Sequence, residues 1–174
     1  FIGMPPSLIE TYGSDIKKMY KANGVPVYLG LITTLVSAFL HLLLTGIAIV
    51  MLAPILFDAT LPSDLPAFFL ALAIYIIVSL SIGSVLGLTI KSQAKLTMVA
   101  QLVFLPSIML SGILFPGSLL PDGLEKIGRI FPAPWGFQLM LNHGFCYDNL
   151  WYMALLFILA VIVCGIAVKK QAKN

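Results

Sequence analysis

The chain has 174 residues, of which 60% are hydrophobic and only 10% charged, with a mean hydropathy of +1.04 and a formal net charge of +3. Too little polar side chain is present to cover a water-soluble domain of this size, so the composition specifies an integral membrane protein. Basic residues sit at the ends of apolar runs rather than on one face, which argues against a nucleic-acid-binding surface.

The chain opens at Phe1, without the basic, apolar and small-residue order of a signal peptide. The expectation is a portion of a longer protein with further spans before it. Residues 1–24 are the least apolar part. Pro5-Pro6 predicts that no continuous helix forms there. From Ser14 onward, Ile16, Met19 and Tyr20 share a face flanked by Lys17, Lys18 and Lys21, and Asn23-Gly24 before Pro26 reads as a stop. The pattern predicts a short basic amphipathic helix over 14–24, lying on a membrane surface and suited to acidic lipid headgroups.

Four uncharged runs follow, at 27–57, 67–90, 96–115 and 150–168. Each approaches or exceeds the ~20 residues that a ~30 Å hydrocarbon core requires. In the first, Thr33, Ser37, His41 and Thr45 recur every four residues and so form one helical stripe. His41 lies near mid-span, where an ionisable group is costly and is a candidate for a transport pathway. The other reading is a neutral His in a helix interface, with the hydroxyls bonded to their own backbone. No carboxylate lies in any run and His143 is the only other histidine, so no metal site is expected.

In the second run Ser79, Gly83 and Gly87, with Ser84 beside them, form a ladder of small residues that lets helices approach closely. In the third, Thr97 and Gln101 share a face, Pro106 predicts a kink and Ser111-Gly112 a break. Gln101 is read either as a hydrogen-bonding group across the bundle or as part of a pathway.

The 116–149 connection is neither a span nor an ordinary hydrophilic loop. Pro121-Asp122-Gly123 starts an amphipathic segment in which Leu124, Ile127, Ile130 and Phe131 oppose Asp122, Glu125, Lys126 and Arg129. Phe131-Pro132-Ala133-Pro134 closes it. This predicts a chain that leaves the membrane, dips an apolar face back at the interface and emerges again. Trp135, Phe137, Phe145, Tyr147, Trp151 and Tyr152 fit an interfacial aromatic belt. Cys146 and Cys164 are eighteen helical positions apart. That is about 27 Å along a helix, beyond the ~7 Å that a disulfide tolerates between Cα atoms.

Across a four-span weave, Lys17, Lys18, Lys21, Lys91, Lys95, Lys169, Lys170 and Lys173 fall on one side, and Lys126 and Arg129 on the other. The positive-inside rule then places both ends of this chain in the cytoplasm and 116–149 outside. No Walker-type loop, nucleophile elbow, H-E-x-x-H or pair of intramembrane acids is present, so the chain is not expected to hydrolyse ATP.

Leu110-Ser111-Gly112-Ile113-Leu114-Phe115-Pro116, then Leu120-Pro121, then Ile130-Phe131-Pro132 near Trp135, set between the last two runs, resemble the signature region of ABC transporter permeases of the type-2 exporter family. The resemblance covers nearly the whole chain and leaves out the family's first two spans. It implies an all-α integral membrane domain, of which this chain is the C-terminal four-span portion of six. It further implies an N-terminal coupling helix that rests Lys17, Lys18, Tyr20 and Lys21 on a separate or fused ATP-binding subunit. A dimer with a second permease copy or paralogue is implied, as is an extracellular re-entrant helical pair hinged at Ser111, Gly112, Pro116, Pro121 and Pro132. No cofactor is implied for this chain itself, since ATP and Mg²⁺ belong to the partner subunit. A bacterial plasma membrane and outward transport by alternating access complete the expectation.

A non-transporting four-helix membrane scaffold is the alternative from another class. It accounts for the apolar runs and the small-residue ladder, but not for the basic segment or the twice-broken stretch. A channel would call for a polar or charged ring along its pore, where this chain has one stripe.

Overall fold

Proline and glycine set the helix boundaries of this chain. The computed structural model describes residues 3–13, 19–20, 22–26, 28–114, 122–141 and 147–173, and every regular element among them is helical. In order these are α1 (Met4–Gly13), α2 (Tyr28–Phe57), α3 (Leu65–Thr89), α4 (Gln93–Met109), α5 (Asp122–Gly128), α6 (Pro132–Leu141) and α7 (Tyr147–Lys173).

Three helices are long and apolar enough to cross a membrane: α2 with 30 residues, α3 with 25, and the 20-residue stretch Leu150–Lys169 of α7. Asp64 caps α3 by accepting from the Ala67 backbone N–H at 3.1 Å, with Pro66 in the first turn. Asp58 ends α2 at a positive φ of 49°, a conformation that Asp tolerates better than most side chains.

Two expectations are corrected. Pro5-Pro6 does not prevent a helix, because both prolines fall in the first turn of α1, where their missing N–H groups would have had no intrahelical partner. The run expected to span 96–115 is helical only from Gln93 to Met109, 17 residues. Pro106 occupies its last turn and Gly112 adopts a φ of 84°. Between them the Ser111 hydroxyl donates to the Ile108 carbonyl at 2.6 Å and accepts from the Ile113 N–H at 3.2 Å. The chain therefore leaves the helix before its apolar character ends.

Lys17, Lys18 and Lys21 of the basic segment lie outside the described residues. Residues 19, 20 and 22 are helical and Tyr20 is half-buried. Gly24, at a φ of 67°, closes this turn, and the Val25 N–H reaches back to the Tyr20 carbonyl at 2.9 Å, the long bond of a Schellman cap.

Helix α3 is the hub, packing on α1, α2, α4, α6 and α7. Met4 and Leu8 of α1 are buried with Leu31, Ile76, Leu80 and Leu88 in one core cluster. A second cluster joins Ala71 and Val78 to Trp135, Leu139 and Met153. The α1 contact is made over glycine: a Cβ on Gly87 would stand 3.0–3.1 Å from Leu8 and the Pro5 backbone, and one on Gly83 3.7 Å from Pro5. Beside them the Ser84 hydroxyl donates to the Leu80 carbonyl at 2.7 Å. The free thiol of Cys164 links α7 to the Ser81 carbonyl of α3 at 3.8 Å.

Gly87→Val is expected to lower stability by about 1–3 kcal/mol, because its branched side chain must displace Leu8 and Pro5. Gly165, where a Cβ would meet nothing within 4 Å, serves as the control. Gly165→Ala should raise stability by up to about 1 kcal/mol through helix propensity alone. Thermal unfolding in detergent, followed by circular dichroism, reads both.

Candidate functional site

Helices α5 and α6 are consecutive, joined by the turn Arg129-Ile130-Phe131 into one helix–turn–helix unit, the hairpin. Its backbone groups are met locally. The Ile130 N–H donates to the Ile127 carbonyl at 3.1 Å and the Phe131 N–H to the Gly128 carbonyl at 3.0 Å. The Arg129 carbonyl accepts from the Trp135 indole Nε1–H at 2.7 Å.

The start of α6 is buried over Pro132, Ala133, Pro134, Trp135 and Gly136. A buried helix start normally leaves four unpaired N–H groups, and two prolines in the first three residues remove two of them. Phe131-Pro132-Ala133-Pro134 thus opens a packed helix, where the sequence pattern read as the close of an interfacial segment. Trp135, read from the sequence as an interfacial aromatic, is 8% exposed and stacks on Tyr152 of α7 at 4.4 Å and 12° between ring planes. Its polar N–H finds its partner in a backbone carbonyl of the fold.

Packing fixes the direction of α6. Pro132 lies with Ile82 and Val85 of α3 and with Leu156 of α7, Trp135 with Tyr152, and Gly136 against Tyr75. A Cβ on Gly136 would overlap the Tyr75 ring. Helix α6 therefore runs antiparallel to both α3 and α7, from their middle towards the Leu65 and Tyr147 ends. Leu110-Gly112, where α4 ends, touches both arms of the hairpin. A Cβ on Gly128 would stand 3.0–3.1 Å from Leu110, and one on Gly112 3.6 Å from Phe137.

Beneath the tip is a groove of about 330 Å³ between α3, α4 and α7, roofed by Ile130, Phe131 and Pro132. Val103 lines one wall and Leu156, Leu159, Ala160 and Val163 the other. These α7 residues stand six to thirteen positions beyond Leu150, where its apolar segment begins. At ~1.5 Å per residue the groove lies roughly 9–20 Å along that segment. Its lining is aliphatic apart from Phe131 and Pro132, so it can hold hydrocarbon and offers no side-chain acid, base or nucleophile. Among the described residues no three His, Cys, Asp or Glu side chains are placed to hold a metal ion.

The other residues singled out in the sequence lie elsewhere. Thr33, Ser37, His41 and Thr45 are exposed on α2. Thr33 donates to the Leu29 and Gly30 carbonyls at 3.0 and 3.1 Å, and Thr45 to the His41 carbonyl at 2.8 Å. Gln101 is exposed on α4, and Ser79 is half-buried on α3. Gly83 and Gly87 face α1. Gly112 lies against Phe137 of α6, Ser111 is bonded within its own turn and Pro132 opens α6, while Pro116 and Pro121 fall outside the described residues. Sequence reasoning did not single out Gly128, Gly136 or the Trp135–Tyr152 stack. A glycine directly after a tryptophan in a helical stretch was the available signal.

A family model described as ABC-2 family transporter protein matches residues 1–169. Comparison with curated proteins and with solved structures returned no match.

Trp135→Phe keeps a ring on Tyr152 but leaves the Arg129 carbonyl without its indole donor. It is expected to cost about 1–3 kcal/mol, and to speed hydrogen exchange of the 129–131 amides. Trp135→Ala, which also empties the ring site, should cost about 3–5 kcal/mol. Thermal unfolding with exchange mass spectrometry checks both.

Proposed function

The chain belongs to the ABC-2 transporter family, and from that premise we propose that it moves substrate outward by alternating access, powered by a partner ATPase. As a member it is a permease component of an ABC transporter, integral to a membrane and itself a transport rather than a catalytic subunit. The family also implies an ATP-binding subunit as partner. The observation that carries the reading is the family match over residues 1–169.

In this reading α4 is the third of four crossings. Its 17 residues supply about 25 Å of a ~30 Å core, and the apolar turn after Met109 supplies the remainder. The distribution of lysines places both ends of the chain in the cytoplasm and the α5–α6 hairpin on the outer side, re-entering the bilayer from there. Such a turn needs its backbone groups satisfied internally, which the Trp135–Arg129 bond and the prolines of α6 support.

The basic 14–24 segment, with Lys17, Lys18, Tyr20 and Lys21, rests on the ATP-binding subunit. A push on it reaches α3 through α1, which is seated over Gly83 and Gly87. Helix α3 touches both α6 and α7, so the same displacement arrives at the hairpin as a rigid-body movement of packed helices. The hairpin, with Ser111, Gly112, Pro116, Pro121 and Pro132 as its hinges, gates the outer exit. Thr33, Ser37, His41, Thr45 and Gln101, exposed on α2 and α4, face a pathway or interface completed by a second permease copy or paralogue. ATP and Mg²⁺ are bound by the partner subunit, and the assembly sits in a plasma membrane.

Affinity capture of the intact permease, expressed with its chromosomal neighbours, is expected to bring down a nucleotide-binding ATPase. Reversal of Lys17, Lys18 and Lys21 to Glu should release that ATPase or uncouple its turnover from transport. Absence of any ATPase, bound or fused, would overturn the reading.

A further inference from the structure

We propose that ordered water occupies the seam between α6 and the α3–α4 pair, held by the hydroxyls of Ser79 and Ser107 and by the Ala133 N–H. The site goes beyond the transport reading and depends on neither the direction nor the energy source of transport.

Two hydroxyls depart from the habit of this chain. Thr34, Thr45, Ser81, Ser84, Thr89 and Thr97 each donate back to the carbonyl four residues earlier, at 2.6–3.0 Å. That bond is open to any serine or threonine inside a helix. Ser79 and Ser107 forgo it. Both oxygens are buried, and among the described residues neither has a hydrogen-bond partner. A buried hydroxyl left in that state costs free energy, so a partner is called for.

Both hydroxyls lie level with the first turn of α6. On α4, Val103 lines the groove with Pro132, and Gly112 lies against Phe137. Ser107 falls between these two levels and is 1% exposed. On α3, Ile82 shares the groove with Pro132, and Tyr75 lies against Gly136. Ser79 stands three residues before the one and four after the other, on the same helical face. The Tyr75 hydroxyl interacts with Ser79 but stops short of a direct hydrogen bond, a separation that a bridging water closes. Between Pro132 and Pro134, which have no N–H, Ala133 carries one at a position that no intrahelical carbonyl reaches. Ala133 is 3% exposed.

The chemistry selects water. No Asp, Glu, Lys or Arg occurs in 65–89, 96–114 or 130–141, so an ion would lie there without a counter-charge. A Cβ on Gly136 would already overlap the Tyr75 ring, so α6 sits too close for a bulkier guest. What remains is a small neutral molecule that accepts from an amide and both donates to and accepts from hydroxyls. Water does this with two to four partners in protein interiors.

The first test is the sign of a stability change, read by thermal unfolding of the full-length permease in detergent. In a dry seam, deleting an unpaired buried hydroxyl raises stability; in a hydrated one it removes a bond. Ser37→Ala, at an exposed helical serine, measures the helix propensity that any Ser→Ala change gains. Relative to it, Ser79→Ala and Ser107→Ala should each lower the folding equilibrium constant about tenfold. The second test observes water directly, by solid-state NMR transfer of proton magnetisation from water to amides of the permease in bilayers. Transfer to Ala133 should be several-fold faster than to Leu139, which is buried on the same helix. It should fall to the Leu139 rate when both serines are replaced by alanine. Equal transfer to the two amides in the wild type would overturn the proposal, as would unchanged or raised stability, relative to Ser37→Ala, in either serine variant. Fast transfer that persists without the serines would overturn their assignment as the groups that hold the water.

Discussion

The Arg129 carbonyl lies in the turn between α5 and α6, and the 2.7 Å bond it receives from Trp135 Nε1 ties that turn to α6. In surroundings without water, an unmet carbonyl or N–H costs free energy comparable to a lost hydrogen bond, so a turn is tolerated only where partners are built in. Here they are built in three ways. Two short backbone bonds satisfy Ile130 and Phe131. The indole satisfies Arg129. Pro132 and Pro134 take away donors that the start of α6 would otherwise present.

That solution constrains its neighbours. For Trp135 to reach back to Arg129 while stacking on Tyr152, α6 must lie close to both α3 and α7. Gly136 permits this against Tyr75, and Gly128 permits the return arm to pass Leu110. The same device appears further along α3, where Gly83 and Gly87 admit Pro5 and Leu8 of α1. Helix α3 thus meets α6 at Tyr75, near its middle, and α1 at Gly83 and Gly87, towards its C-terminal end, each contact made over glycine. In a bilayer, close packing of this kind supplies the cohesion that water supplies to a soluble core.

The long helices were legible because run length suffices to find them: 27–57 and 67–90 in the sequence become Tyr28–Phe57 and Leu65–Thr89. Asn23-Gly24, read as the stop of the basic segment, closes a turn there through local capping chemistry. Features that depend on distant partners were not legible. Pro5-Pro6 reads as a break until its place in the first turn of α1 is known. By contrast the break read at Ser111-Gly112 is local, and the left-handed Gly112 and the Ser111 hydroxyl bonds lie there, although Leu110 to Leu114 is as apolar as the helix before it. Trp135 has the same composition signal whether it lies in an interfacial belt or in a core. Its partners, a carbonyl six residues earlier in the chain and the Tyr152 ring, are not marked by that signal. At the candidate site Gly112 and Pro132 could be named in advance, but Gly128, Gly136 and the groove could not, since their partners come from helices far apart in sequence.

The account turns on the depth of the hairpin tip. Nitroxide labels at Ile130→Cys, Leu141→Cys and Ile158→Cys, in a Cys146→Ser, Cys164→Ala background and reconstituted into bilayers, report depth by the ratio of collisions with oxygen to those with a water-soluble nickel chelate. The account predicts that the label at 130 resembles the one at 158, mid-way along α7, while the label at 141, at the far end of α6, collides mainly with the chelate. A label at 130 as accessible to the chelate as the one at 141 would contradict it.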